Sequence, residues 1–156
     1  GKATMLGMIT GAVAGLVAIT PACGYVSAAG SLGVGAGAGL FAYLAVTWLK
    51  PRCGYDDSLD VFGVHGIGGV WGAIATGLWA TTAINDGGGD GLFYGNAAQL
   101  WVQIKAVGTT CIWSGVVSLV LWKLIDRTIG LRASDDEERV GMDLTDHAET
   151  AYTVLD

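Results

Sequence analysis

His65 is the residue of this sequence whose type and place could do chemistry. It stands in Asp60-Val61-Phe62-Gly63-Val64-His65-Gly66-Ile67-Gly68-Gly69, a run that carries no other ionisable group after Asp60. An ionisable side chain inside a long apolar segment is costly and marks a functional position by default. Among Val64, Gly66 and Ile67 the ring is expected to be desolvated, which disfavours the imidazolium. The neutral ring would donate from one nitrogen and accept at the other. A buried histidine bonded to a neighbouring helix is the competing reading. Glycines on both sides weigh against it, because they remove side chains that would cover the ring and let a small polar substrate come close. Asp57 and Asp60 lie in the turn that precedes the apolar segment beginning at Val61. Capping of free backbone N–H groups is the role expected for both, with direct cation binding as the alternative.

Other chemistry is not in evidence. Cys23, Cys53 and Cys111 are scattered, without the spacing of a zinc site or a disulfide framework, and read as small apolar fillers. Haem ligation by His65 would want a second axial ligand, and the other histidine, His147, lies near the end of the chain. No cofactor, metal or enzymatic activity is expected.

The elements that must position His65 are membrane spans. Of the 156 residues 52% are hydrophobic and 14% charged, well short of the roughly 25% charged in soluble domains. Apolar runs fall at 3–20, 30–49, 61–82 and 97–125, each close to or above the roughly 17–25 residues that cross a bilayer. The fourth carries Lys105 and Lys123 and is longer than a bilayer needs, so a strong tilt or an extension beyond the membrane is expected. Small residues recur every four positions at Gly7, Gly11 and Gly15, at Gly35 and Gly39, and at Gly68 and Gly72. Such stripes let helix backbones approach closely. The six tryptophans lie mostly toward span ends, where they serve as interfacial anchors. Trp71, in mid-span, does not fit that account.

Charge divides sharply along the chain. From Ala133 to Asp156 eight acids face one base, whereas the preceding residues carry seven bases and six acids. The net charge of −6 is therefore a property of the tail, and it argues against a nucleic-acid partner. With the first residue on the cytoplasmic side, Lys2, Lys50, Arg52, Lys123, Arg127, Arg132 and Arg139 all fall there, leaving Lys105 opposite. The positive-inside bias thus predicts a multi-pass protein of the cell membrane with both chain ends cytoplasmic and the glycine-aspartate loop at 85–91 external. Residues 1–132 are read as a transmembrane domain and 133–156 as a cytoplasmic acidic tail. The start at Gly1 suggests a segment whose beginning lies elsewhere.

Several stretches closely resemble the ammonium transporter (Amt/Mep/Rh) family: Gly1-Lys2 with Leu6-Gly7-Met8 and Gly15-Leu16-Val17, Thr20-Pro21-Ala22-Cys23-Gly24-Tyr25, Asp60 to Gly66, and Trp113-Ser114-Gly115-Val116-Val117. Gly130-Leu131-Arg132, Gly141-Met142-Asp143 and His147 are similar as well, and the Thr20 to Tyr25 stretch favours the ammonium transporter branch over the Rhesus branch. The resemblance implies an all-α polytopic bundle: four spans of an eleven-helix, inverted-repeat, usually homotrimeric protein, with this chain as its C-terminal portion. It implies ammonium or ammonia transport through a hydrophobic pore lined by a pair of histidines, of which His65 would be the second. The first histidine would lie outside the chain, which alone would then not conduct. Val61, one turn before His65, and Thr20 are further pore-lining candidates. An ammonium sensor with the same fold is the alternative. The tail, through Gly130, Arg132, Gly141, Asp143, Thr145 and His147, would be a regulatory segment that contacts neighbouring subunits and a PII-type signalling protein. Ala148 departs from the family pattern, which has glycine after the histidine.

Overall fold

In the computed structural model, residues 4–151 are described. Ala3, which opens the first expected span, Lys2 of the charge count and Asp156 of the acidic tail lie outside them. The described residues form helices, with one isolated β-bridge between Val26 and Ala80. Two compact units, Gly1–Cys111 and Ile112–Asp156, are taken in turn.

In the first unit α1 runs over Met5–Ile19, started by Thr4, whose hydroxyl accepts from the Gly7 N–H at 3.1 Å. Helix α2 covers Ala28–Leu44, continues through a π-helical turn at Ala45–Leu49 and ends as α3, Lys50–Cys53, at Gly54 with φ +63°. A second π-helical turn at Phe62–Ile67 leads into α4, Gly68–Trp79. The third expected span thus stops short of residue 82. Ala80 turns extended, and the Thr81 N–H donates to the Tyr25 carbonyl at 2.8 Å, so this stretch pairs with the α1–α2 connection instead of continuing the helix.

Close approach of backbones holds α1, α2 and α4 together. Ala14 and Ala18 of α1, Val34, Ala38 and Ala42 of α2, and Val64 and Ala75 of the third helical run are buried. A Cβ at Gly72 would overlap the Ala18 carbonyl, and one at Gly68 would lie 3.6 Å from Val17 Cγ1. These pairs make α1 and α4 parallel. Helix α2 runs antiparallel to α4, with Gly63 against Ala45 and Val46 at one end and Gly33 against Trp79 at the other.

Two expectations are corrected here. Gly11, Gly15, Gly35 and Gly39 face open space; Gly33 and Gly37 instead accept the indoles of Trp79 and Trp71. Trp71 is thus a packing residue. It lies over the glycine face of α2, and its indole N–H donates to the Val34 carbonyl at 2.9 Å. The cysteines are exposed and do not fill the interior, because alanine and glycine already bring the helices into contact.

Helix α5, Ala97–Thr128, begins in this unit and reaches into the second. Its 32 residues span about 48 Å at 1.5 Å per residue. None is buried, and Trp101, Ile112, Trp113 and Trp122 are each at least 60% exposed. Helix α5 and the run Ala28–Cys53 are each long and apolar enough to cross a membrane.

The second unit continues from α5 into two short helices, α6 (Asp135–Val140) and α7 (Met142–Thr145). Ser134 and Glu137 form a reciprocal capping box at the start of α6, and four acids in its first turn suit the helix dipole. The Ser134 N–H holds the Glu137 carboxyl below its ordinary range.

Candidate functional site

The connection between α3 and the second π turn determines where His65 sits. Asp57 caps that turn: its Oδ1 accepts from the Val61 N–H at 2.9 Å and its Oδ2 from the Phe62 N–H at 2.8 Å. The Phe62 bond, helped by the Val61 bond, holds the Asp57 carboxyl below the usual carboxylate range. Asp60 does not cap with its side chain, contrary to expectation. Its carboxylate accepts from Lys50 Nζ at 2.6 Å, while its backbone carbonyl accepts from the Val64 N–H at 3.0 Å. At φ +56° Asp60 stands in the left-handed region, two residues before the turn begins. Lys50 also donates to the Asp57 carbonyl.

Beyond this cap the chain places His65 and Val61 in one open cleft of about 570 Å³ with Tyr55, Asp56, Asp57, Phe62 and Gly66. Tyr55 stacks edge-on against Phe62, with ring centroids 5.6 Å apart. His65 is exposed in this chain. Of its two neighbours in sequence, Gly66 lines the same cleft and Val64 does not. Val64 turns inward and is 3% exposed, packed with Ala14 and Ala42, while His65 and Val61, four residues apart, share the outer face. The π-helical form of the turn belongs to a class found often at functional sites. What the cleft offers is an imidazole donor and acceptor at the wall of an apolar surface, with carboxylates at its rim.

Thr20 is not part of this group. It follows α1 and donates to the Leu16 carbonyl at 2.7 Å. It lies beyond the Ala18–Gly72 contact, and Gly72 is itself seven residues past His65, about 10 Å along the helix.

In the second unit Gly130 ends α5 at φ +79°, and Gly141 separates α6 from α7 at φ +106°. Arg132 pairs with Glu138 at 3.2 Å in an exposed setting. Asp143 Oδ2 accepts from the Ala151 N–H at 2.9 Å, and that bond holds its carboxyl below the ordinary range. Thr145 donates to the Gly141 carbonyl at 3.3 Å, and His147 is exposed. Ala148, where the resemblance implies glycine, has φ +53°, a backbone that glycine adopts at no steric cost.

Sequence reasoning missed the role of Lys50, the left-handed Asp60 and both π turns. It also passed over the capping box, although serine followed three residues later by glutamate is a readable signature.

The comparisons with known proteins agree with this fold. A family model described as the Ammonium Transporter Family matches residues 1–152. The chain is 51% identical over 151 residues to the ammonium transporter of Bacillus subtilis, covering 97% of this chain and 37% of that protein. It is 45% identical over 154 residues to ammonium transporter Amt1 of Archaeoglobus fulgidus, covering 98% of this chain and 38% of that protein. The crystal structure of Mep2 from Candida albicans superposes with a TM-score of 0.81 at 34% identity, over 94% of this chain and 33% of that one. The chain therefore spans little more than a third of the length of the relatives it matches. The expectation that this third is their C-terminal portion finds no support in these figures.

Proposed function

The chain belongs to the Ammonium Transporter Family, and from that premise we propose that it forms part of a membrane transporter for ammonium in which His65 lines the path. The observation that carries this reading is the cleft: a histidine and Val61 share one exposed face of an apolar helical run, with a capped turn holding them there. The chemistry follows from the difference between ammonium and potassium. A dry apolar passage disfavours both cations. Only ammonium can release a proton and pass as a neutral amine, which accepts and donates hydrogen bonds as an imidazole does. His65 would supply partners that a wall of valine and glycine lacks.

On this reading the apolar runs that begin at residues 3, 30, 61 and 97 are four spans, the third ending at Trp79, both chain ends are cytoplasmic and residues 133–156 form a regulatory tail. The exposed apolar length of α5 fits contact with lipid or with the other subunits of a homotrimer. A PII-type protein at the acidic tail is the regulatory partner in this scheme. The test is ammonium flux into proteoliposomes containing the full-length transporter that carries this segment. His65→Ala is expected to lower ammonium flux or to weaken selectivity over potassium. Wild-type flux with unchanged selectivity in that variant would refute the role of His65. Negligible flux in the unmutated protein would favour a sensor.

A further inference from the structure

We propose that Lys50 is a positioning residue for the translocation path, a clamp that sets the direction in which the His65-bearing turn leaves the connection at 54–59. This rests on the reading of His65 given above.

The clamp ties together the two aspartates that lead into the turn. Lys50 Nζ donates to Asp60 Oδ1 at 2.6 Å and also to the Asp57 carbonyl. That carbonyl accepts the Asp60 N–H as well, at 3.2 Å. Asp57 in turn holds the N–H groups of Val61 and Phe62, and the Asp60 carbonyl holds that of Val64. One ammonium therefore secures two residues whose bonds run directly into the segment that ends at His65.

The backbone at Asp60 gives the clamp its purpose. A left-handed residue other than glycine persists where its surroundings over-determine it. Glycine would allow the same φ of +56°, but it could not anchor the turn to α3. An aspartate tolerates that backbone and offers the carboxylate that Lys50 grips. The side chains of Lys50 and Asp60 are each 28% exposed, so this pair is better shielded than the open surface pairs that contribute little. Beside it the two π turns lie flank to flank: a Cβ on Gly63 would meet Val46 Cγ2 at 3.0 Å and Ala45 Cβ at 3.3 Å. The clamp thus closes one end of the contact that orients the face carrying Val61 and His65.

The experiment compares Lys50→Met, Lys50→Arg, His65→Ala and the double variant Lys50→Met/His65→Ala in proteoliposomes of the full-length transporter. Lys50→Met is expected to lower maximal ammonium flux about five-fold or more with KM changed less than about two-fold, the pattern of an interaction lost during passage and not in binding. Lys50→Arg, whose fork carries donors enough for both acceptors, is expected to restore at least about half of the flux. In the His65→Ala background Lys50→Met should add nothing, because a clamp that acts through His65 is silent without it. Wild-type flux in Lys50→Met, or losses that multiply in the double variant, would overturn the proposal. Should Lys50→Met fail to fold, Asp60→Asn keeps the shape and weakens the grip; it is expected to lower flux about two- to three-fold, and unchanged flux overturns the clamp equally. If His65→Ala alone changes nothing, the reading of His65 fails. If His65→Ala lowers flux and Lys50→Met does not, the clamp alone fails.

Discussion

Gly72→Ala is the most direct perturbation of the helix contact behind the site. A Cβ built there overlaps the Ala18 carbonyl oxygen and falls 2.8 Å from the Ala18 carbonyl carbon and 2.9 Å from its Cα. Optimal carbon–carbon contact begins near about 3.5 Å, so α1 and α4 must part by more than half an ångström. No rotamer change can relieve this, since every atom met is backbone. Overpacking of this kind costs about 1–3 kcal/mol. Alanine recovers up to about 1 kcal/mol of helix propensity over glycine, leaving a net loss of about 0–2 kcal/mol. Gly69 is the control, on the same helix with nothing within 4 Å of its Cβ position. Gly69→Ala should be neutral or stabilising by up to about 1 kcal/mol. The assay is reversible unfolding of the full-length protein in detergent. The two variants should differ by about 2 kcal/mol, and equal stability would refute the view that backbone approach at Gly72 holds α1 to α4.

Two more outcomes follow. Asp57 carries a lowered folded pKa, so its capping contribution is complete above the ordinary value of 3.8 and is lost as pH falls through the depressed folded value. The gap in melting temperature between wild type and Asp57→Asn should be constant at higher pH and close as the solution is acidified below 3.8; a gap that persists there would contradict the cap. Ala148→Gly relieves a left-handed alanine, a gain of about 1–2 kcal/mol against about 0.4–1 kcal/mol of unfolded-chain entropy. Amide exchange at 142–151 should slow in the intact protein, and faster exchange would refute the strain assigned to Ala148.

What the sequence disclosed depended on whether a signal was local. The apolar runs were legible because hydropathy is carried residue by residue, and α1, α2 and α5 lie within or around the expected runs. The small-residue stripes were legible only in part. Spacing of four places glycines on one face, but which face meets a neighbour depends on the partner helix. Gly68 and Gly72 meet α1, while Gly35 and Gly39 do not meet α4, because Trp71 and Trp79 reach α2 over Gly37 and Gly33. Trp71 was opaque for the same reason: an indole in mid-span has no meaning until the glycine opposite it is known. Asp57 was readable as a cap because the acceptor and its N–H groups lie within five residues.

His65 shows where such reading stops. Its type marked it as functional, but its setting was inferred from residues adjacent in sequence, and adjacent residues on a helix point in different directions. Val64 takes the buried position that the sequence seemed to offer the ring, and His65 faces the cleft with Val61. What aims it is ten residues from Asp60 along the chain: Lys50, which entered the sequence reading only as a positive charge to be counted. A pairing across that distance leaves no periodic trace. It becomes visible only when a loop is seen to bring a cation onto the carboxylate of a left-handed residue, which is why the orientation of His65 had to come from the fold.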